Sequence, residues 1–283
     1  MSGGTIHAIT TRAIKSIADG EIDIPINDSV YRLLIEKGLN ENMIKLIERY
    51  PNDHASFVQN TLDELSAKNL ISSNSCDFKE FLRFKEMVES KINHTNYTTF
   101  IFPEEALLLY AIASIQKIKN AVFLGSYYGY WSYWVLQAVK ENNGQILLVD
   151  IDSQVLDLAI KNIQSLGFGK YVDAHCLDAT AANDKISEIK YDLVVIDAEG
   201  PKENLRYGSV DKALYHDIAK CNSHILHENG LLIFHNMLLS HQGSSAYFDN
   251  MIENNKRQFY KLIPFLNNNY SRKMVVNSTE GVG

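Results

Sequence analysis

The chain has 283 residues, 46% of them hydrophobic and 22% charged, with 34 acidic against 27 basic side chains for a formal charge of −7. That apolar share builds a core and excludes a disordered chain, and the length holds one large domain or two modest ones. The acidic balance excludes wholesale binding to nucleic acid or to an anionic membrane surface.

Residues 7–16 and 21–26 are strand-prone and flank Asp19 and Gly20, a pair that favours a tight hairpin turn. Asn27 or Asp28 then caps a helix through Val30, Leu33 and Leu34 that glycine ends at Gly38. A second helix through Met43, Ile44 and Ile47 stops before Pro51, and a third covers residues 54–69, with Phe57, Val58, Thr61, Leu62 and Leu65 at helical spacing. Together they predict a small, mostly helical, winged-helix-like domain over residues 1–75. Residues 76–97 follow as a link containing one helix, over 78–92.

From residue 98 to 283 strands and helices alternate regularly. Pro103 suits the first turn of a helix over 103–117. Four short apolar runs come next: 121–124 ends in Gly125, 146–149 in Asp150, 193–196 in Asp197 and 231–234 in His235. Such runs with helices between them predict an α/β fold with a doubly wound parallel sheet covered on both faces. Residues 260–266 and 273–277, separated by Asn267, Asn268 and Asn269, read as an antiparallel C-terminal edge. Cys76, Cys176 and Cys221 show no zinc-ligand spacing and read as reduced core thiols. The first residues lack the layout of a signal peptide and no apolar run nears the ~20 residues that cross a bilayer, so the cytoplasm is the expected compartment.

Ligands of open α/β sheets bind outside the carboxyl ends of the strands, where Gly125, Asp150, Asp197 and His235 fall. Gly125 and Gly129 form a Gly-x-x-x-Gly turn that lets backbone approach a ligand, and Asp150, at the end of the next strand, is placed to accept from ribose hydroxyls. This ordered set resembles the class I S-adenosylmethionine-dependent methyltransferases, and within them the catechol and caffeoyl-coenzyme A O-methyltransferases, over about residues 98–277. The resemblance also rests on Pro103, Glu104 and Glu105, on Asp152, on Cys176 to Ala179, on Ala198 and Glu199, and on Asn236. It implies a Rossmann-like domain in which Gly125, Tyr127 and Gly129 surround the methionine part of S-adenosylmethionine, Asp150 holds its ribose, and Asp178 with Ala179 borders its adenine.

Three departures from that group stand out. Leu124 replaces an acidic residue. Trp131 replaces a serine that touches the cofactor, a contact Ser132 can substitute. His235 and Asn236 stand where metal-dependent members carry Asp-Asn, which exchanges a hard carboxylate ligand of magnesium for imidazole. Divalent-metal dependence is therefore open. His235 is read as a general base, with a solution pKa of about 6.5 and with Asp197 to orient it. The alternatives are a mixed metal site of Asp197, His235 and Asn236, or a histidine that only packs. Lys202 is given no role, and His216, His224 and His227 read as solvent-facing or capping. One or two of the aromatics Tyr127, Tyr128, Tyr130, Trp131, Tyr133 and Trp134 are expected at an acceptor pocket.

The hairpin-and-helices order of residues 5–73 resembles leader-peptide recognition domains of ribosomal-peptide modification systems, which bind a peptide along a strand edge. A winged-helix-like dimerisation module is the competing reading, and a DNA-binding winged helix is a third, against which the acidic balance argues. The whole implies an O-methyltransferase, a homodimer acting on a natural-product-type acceptor, either a small molecule or a modified peptide. The alternative is a non-catalytic cofactor-binding regulator or scaffold.

Overall fold

The structure, a computed structural model, describes residues 28–36, 44, 50–97, 101–181, 186, 187, 189–200, 212–237 and 253–283. The expected N-terminal hairpin and Lys202 lie outside these residues. Helix α1 spans Asp28–Glu36 and α2 His54–Ala67, the latter capped by the Asp53 side chain, which accepts from Ser56 N. Helix α3, Phe78–Lys91, is capped in the same way by Asp77. Such caps satisfy backbone donors that a helix start leaves unpaired.

Helix α4, Pro103–Ile115, is apolar nearly all round, and Leu107, Leu108, Leu109 and Ala111 are all buried. A helix with no polar stripe belongs in an interior. The two carboxylates of its first turn, Glu104 and Glu105, are buried with it.

Five strands follow: β1 (Asn120–Leu124), β2 (Gln145–Asp150), β3 (Val172–Cys176), β4 (Tyr191–Ile196) and β5 (Leu226–Phe234). They pair in parallel in the order β3-β2-β1-β4-β5. The chain steps outward from β1 through β2 to β3 and then returns to the other side of β1, so the switch point lies between β1 and β4. Helices α5 (Leu136–Glu141), α6 (Ser153–Ser165) and α7 (Tyr215–Asn222) lie between successive strands, and α8 spans Glu253–Asn269. Alternate strand residues serve two cores, Ala121, Phe123 and Val195 on one face and Val122, Leu124 and Val194 on the other. This is the period-2 division of a sheet buried on both sides. The first core also takes in Val58, Leu62, Phe81 and Phe84, so α2 and α3 build on α4.

Two expectations are corrected. Residues 260–266 lie within helix α8 instead of a strand, and the final segment contributes one antiparallel bridge, Val276 with Val282. Leu262, Phe265 and Leu266 recur at helical spacing and join the core beside α7, which decides for helix over strand. Cys176 is exposed at the end of edge strand β3, although all three cysteines are free as expected. No helix among the described residues is long and apolar enough to cross a membrane.

Candidate active site

The β1 end turns sharply through Gly125, at φ +84°, where a Cβ would stand 2.3 Å from Ala198 Cα. Only glycine fits this approach of the β1 loop to the residue after Asp197. Tyr127 also takes a positive φ, and its N–H donates to Asp150 Oδ2 at 2.8 Å while Asp152 N donates to Oδ1 at 3.1 Å. Burial raises the Asp150 carboxyl above its ordinary value, against the pull of these backbone donors. An ionised carboxylate has about four acceptor positions, so capacity remains for a ribose diol.

The other expected cofactor residues divide. Gly129, at φ +81°, packs on Ala159. The Ser132 hydroxyl is buried and donates to Gly129 O at 2.7 Å, so it closes the turn and does not face outward. Asp178 accepts from the backbone and hydroxyl of Thr180, at 2.9 and 2.7 Å, and so builds the turn after β3. Ala179 beside it is buried, and Leu177 N bonds to Asp150 O, which keeps this turn next to the Asp150 end. Of the aromatics, Tyr128, Tyr133 and Trp134 are core, Tyr127 is exposed, and the Trp131 ring lies 4.7 Å from that of His235.

At the ends of β4 and β5, His235 N bonds to Ile196 O, and the side chain, 1% exposed, is enclosed by carboxylates. Its Nδ1 lies 3.3 Å from Asp197 Oδ2, and its Nε2 lies 3.1 Å from Glu105 Oε2 and 3.8 Å from Glu280 Oε2. Asp197 in turn accepts from Lys212 Nζ at 2.8 Å. Burial by itself would lower the His235 pKa, yet Asp197 and Glu105 hold it well above its ordinary value. Burial would raise Asp197, yet Lys212 and His235 hold it down at about 2. The two carboxylates thus favour the protonated form of His235, whereas a general base acts as the neutral imidazole.

Residues 276–283 complete this corner. Gly283 exchanges two backbone hydrogen bonds with Phe234, of 2.8 and 3.0 Å, and Met237 N bonds to Gly281 O at 3.0 Å. Ser278 Oγ donates to Glu105 Oε1 at 2.8 Å, Glu280 N to the same oxygen at 3.0 Å, and Thr279 N to Glu104 Oε1 at 3.0 Å. The Asn236 amide donates to Glu280 Oε2. Burial pushes Glu280 up to about 8 against the pull of His235, with Glu105 adding to the rise.

Glu104, Glu105, Lys212 and Glu280 thus join the site, although the sequence reading assigned them no role there. Two carboxylates opening a helix otherwise apolar all round were a usable signal, because burying them demands partners. Among the described residues, no group of three or more His, Cys, Asp or Glu side chains is arranged to hold a metal ion. The imidazole at 235, read from sequence as a possible ligand, has both nitrogens directed at carboxylates.

Comparison with known proteins places this geometry. A family model described as O-methyltransferase matches residues 72–265. No curated protein sequence gives a match. Among solved structures, the O-methyltransferase TomG from Streptomyces achromogenes, involved in tomaymycin synthesis and in complex with SAM, superimposes with a TM-score of 0.53 at 14% identity, covering 70% of this chain and 86% of that one. An O-methyltransferase from Bacillus cereus in complex with SAH gives 0.53 at 11% identity, covering 81% and 97%. The SAH-bound methyltransferase PaMTH1 from Podospora anserina gives 0.51 at 15%, covering 79% and 93%. At these identities the structures share the fold.

Proposed function

The chain belongs to the O-methyltransferase family, and from that premise we propose that it moves the methyl group of S-adenosylmethionine to an acceptor oxygen at the carboxyl ends of β2, β1, β4 and β5. The observation that carries the reading is the meeting of the Gly125 turn with the Asp197 end at the switch point of the sheet. Asp150 holds ribose hydroxyls, the backbone around Gly125, Tyr127 and Gly129 borders the amino-acid part, and Asp178 with Ala179 borders the base. S-adenosylmethionine, when bound, supplies a methyl group on a positively charged sulfur.

The chain's own residues supply charge and position. His235 serves as a fixed cation beside the acceptor, since an imidazolium has no lone pair with which to take a proton. Lys212 keeps Asp197 ionised, and Asp197 with Glu105 keeps His235 protonated. The buried indole N–H of Trp131 has no hydrogen-bond partner among the described residues, which leaves one donor for a bound acceptor. A homodimer in the cytoplasm and a natural-product acceptor, small molecule or peptide, remain parts of this proposal. Recognition of a leader peptide by residues 1–75 is not carried into it.

The test is calorimetric titration of the full chain with S-adenosylmethionine. Saturable binding with one site per chain, lost or weakened in Asp150→Ala, is the expected result. A folded chain that does not bind the cofactor overturns the reading.

A further inference from the structure

We propose that residues 276–283 occupy the acceptor site as a tethered peptide, and that the acceptor is correspondingly an extended peptide segment presenting a glutamate or aspartate carboxylate to His235 and Asn236. This names the acceptor class for the O-methyl transfer proposed above and rests on that reading.

The segment is recognised as a peptide is. Its backbone pairs with Phe234 and Met237 at the end and outer side of β5, and its Ser278, Thr279 and Glu280 address Glu105, Glu104 and Asn236 in turn. Strand-edge pairing of this kind gives affinity through main-chain bonds and specificity through side-chain positions. Ser278, Thr279 and Glu280 are each no more than 1% exposed. One oxygen of Glu280 is held by Asn236, while Oε1 is buried and accepts no hydrogen bond among the described residues. A carboxylate held through one oxygen with lone pairs free on the other has the form of a positioned nucleophile.

The charges agree with this chemistry. A hydroxyl acceptor needs a base, and Asp197 and Glu105 favour the protonated form of the imidazole at the end of β5. A carboxylate needs none. In the transfer one carboxylate oxygen forms a bond to the methyl carbon, the methyl carbon–sulfur bond breaks, and its electron pair stays on sulfur. An anion and a sulfonium become a neutral methyl ester and a neutral thioether, and no proton moves. Burial holds Glu280 itself at about 8, and a cationic sulfonium beside it would draw the group to the ionised form that the transfer uses.

The test uses the full chain carrying Gly281→Pro, which removes the N–H that donates to Ser278 Oγ at 3.1 Å and cannot adopt the φ of +83° found there. The probe is a blocked synthetic peptide with the sequence of residues 276–283, beside the same peptide with glutamine for its glutamate. Fluorescence anisotropy is expected to show the glutamate peptide binding this variant at least tenfold more tightly than it binds the unaltered chain, and at least tenfold more tightly than the glutamine peptide binds the variant. With labelled S-adenosylmethionine the glutamate peptide should gain one base-labile methyl ester. A base-stable methyl ether on its serine or threonine overturns the carboxylate acceptor, and absence of peptide binding in a variant that still binds S-adenosylmethionine overturns the peptide acceptor. Should Gly281→Pro fail to fold, hydrogen exchange on the unaltered chain decides. Millimolar glutamate peptide should deprotect the amides of 279–283, and unchanged protection overturns the inference. If the unaltered chain does not bind S-adenosylmethionine, the reading beneath it has failed instead.

Discussion

Glu105 Oε2 lies 3.1 Å from His235 Nε2, joining the first turn of α4 to the end of β5 with neither side chain more than 1% exposed. A buried ion pair broken on one side leaves the other charge without compensation, at a cost of ~3–5 kcal/mol. His235→Gln should therefore lower unfolding free energy by about that amount in urea titrations. A loss under ~1 kcal/mol would mean that the imidazole is neutral, and the fixed-cation role would fall.

The same pair bears on the rate. On the proposed fixed-cation role of His235, kcat should show no rise through an ionisation between about pH 6 and 7, the range in which an ordinary histidine base titrates. His235→Asp adds a fourth carboxylate to Glu105, Asp197 and Glu280, and should melt lower in chelator than in magnesium. Activity of the unaltered chain should survive exhaustive chelation. Abolition by chelator with rescue by manganese would instead favour a mixed metal site.

Stability should depend on pH in two directions. Asp197 titrates at about 2 when folded, below the ~3.9 of a free aspartate. Its stabilisation, about 2–3 kcal/mol, is complete above the unfolded value and lost as pH falls through the folded one. His235 is raised on folding, so its stabilisation is present below about pH 6.5 and is lost as pH climbs through the higher folded value. Urea midpoints across pH 2–9 should peak near about pH 5–6. Midpoints that rise steadily from pH 6 to 9 would contradict the protonated imidazole.

Asp150→Ala removes both the proposed acceptor for ribose and the carboxylate that receives Tyr127 N at 2.8 Å. Affinity for S-adenosylmethionine should fall by ~1–3 kcal/mol, read by calorimetry. Asp150→Asn should recover less than half of the loss, because its amide accepts through one oxygen only.

Gly125→Ala would put a Cβ 2.3 Å from Ala198 Cα at a φ of +84°. The φ alone costs ~1–3 kcal/mol, and the clash forces the β1 and β4 loops apart. Cofactor binding should be lost at temperatures where circular dichroism still shows the fold.

The strands were legible where burial on both faces left continuous apolar residues, as in Val122 to Leu124 and Val194 to Ile196. Edge strand β3 carries Asp173 and His175 and leaves no such run. Helix α8 was misread because Tyr260 to Leu266 is apolar enough for either element over a short window, and only the core beside α7 decides for helix. Asp150, Asp197 and His235 were legible as candidate site residues because each directly follows an apolar run. Glu280 follows none: it reaches the site through long-range pairing, which local pattern does not record. The upward shift of the His235 pKa was also hidden, since it depends in part on Glu105, 130 positions away in sequence.

The bonds from Thr279 to Glu104 close a loop of 175 positions. Loop-closure entropy grows slowly, by only about 0.6 kcal/mol per doubling of length, but it is spent before any contact between the two ends forms. During folding, the sheet can assemble from neighbouring βα units while this last corner stays open, so the charged centre is the latest part of the molecule to take shape. In the native ensemble it is then among the first to come undone, through openings that cost less than global unfolding. Global unfolding should set the exchange of the amides of β1 and β4, and a smaller local opening that of 279–283, so that this corner acts as a latch that opens without unfolding its frame.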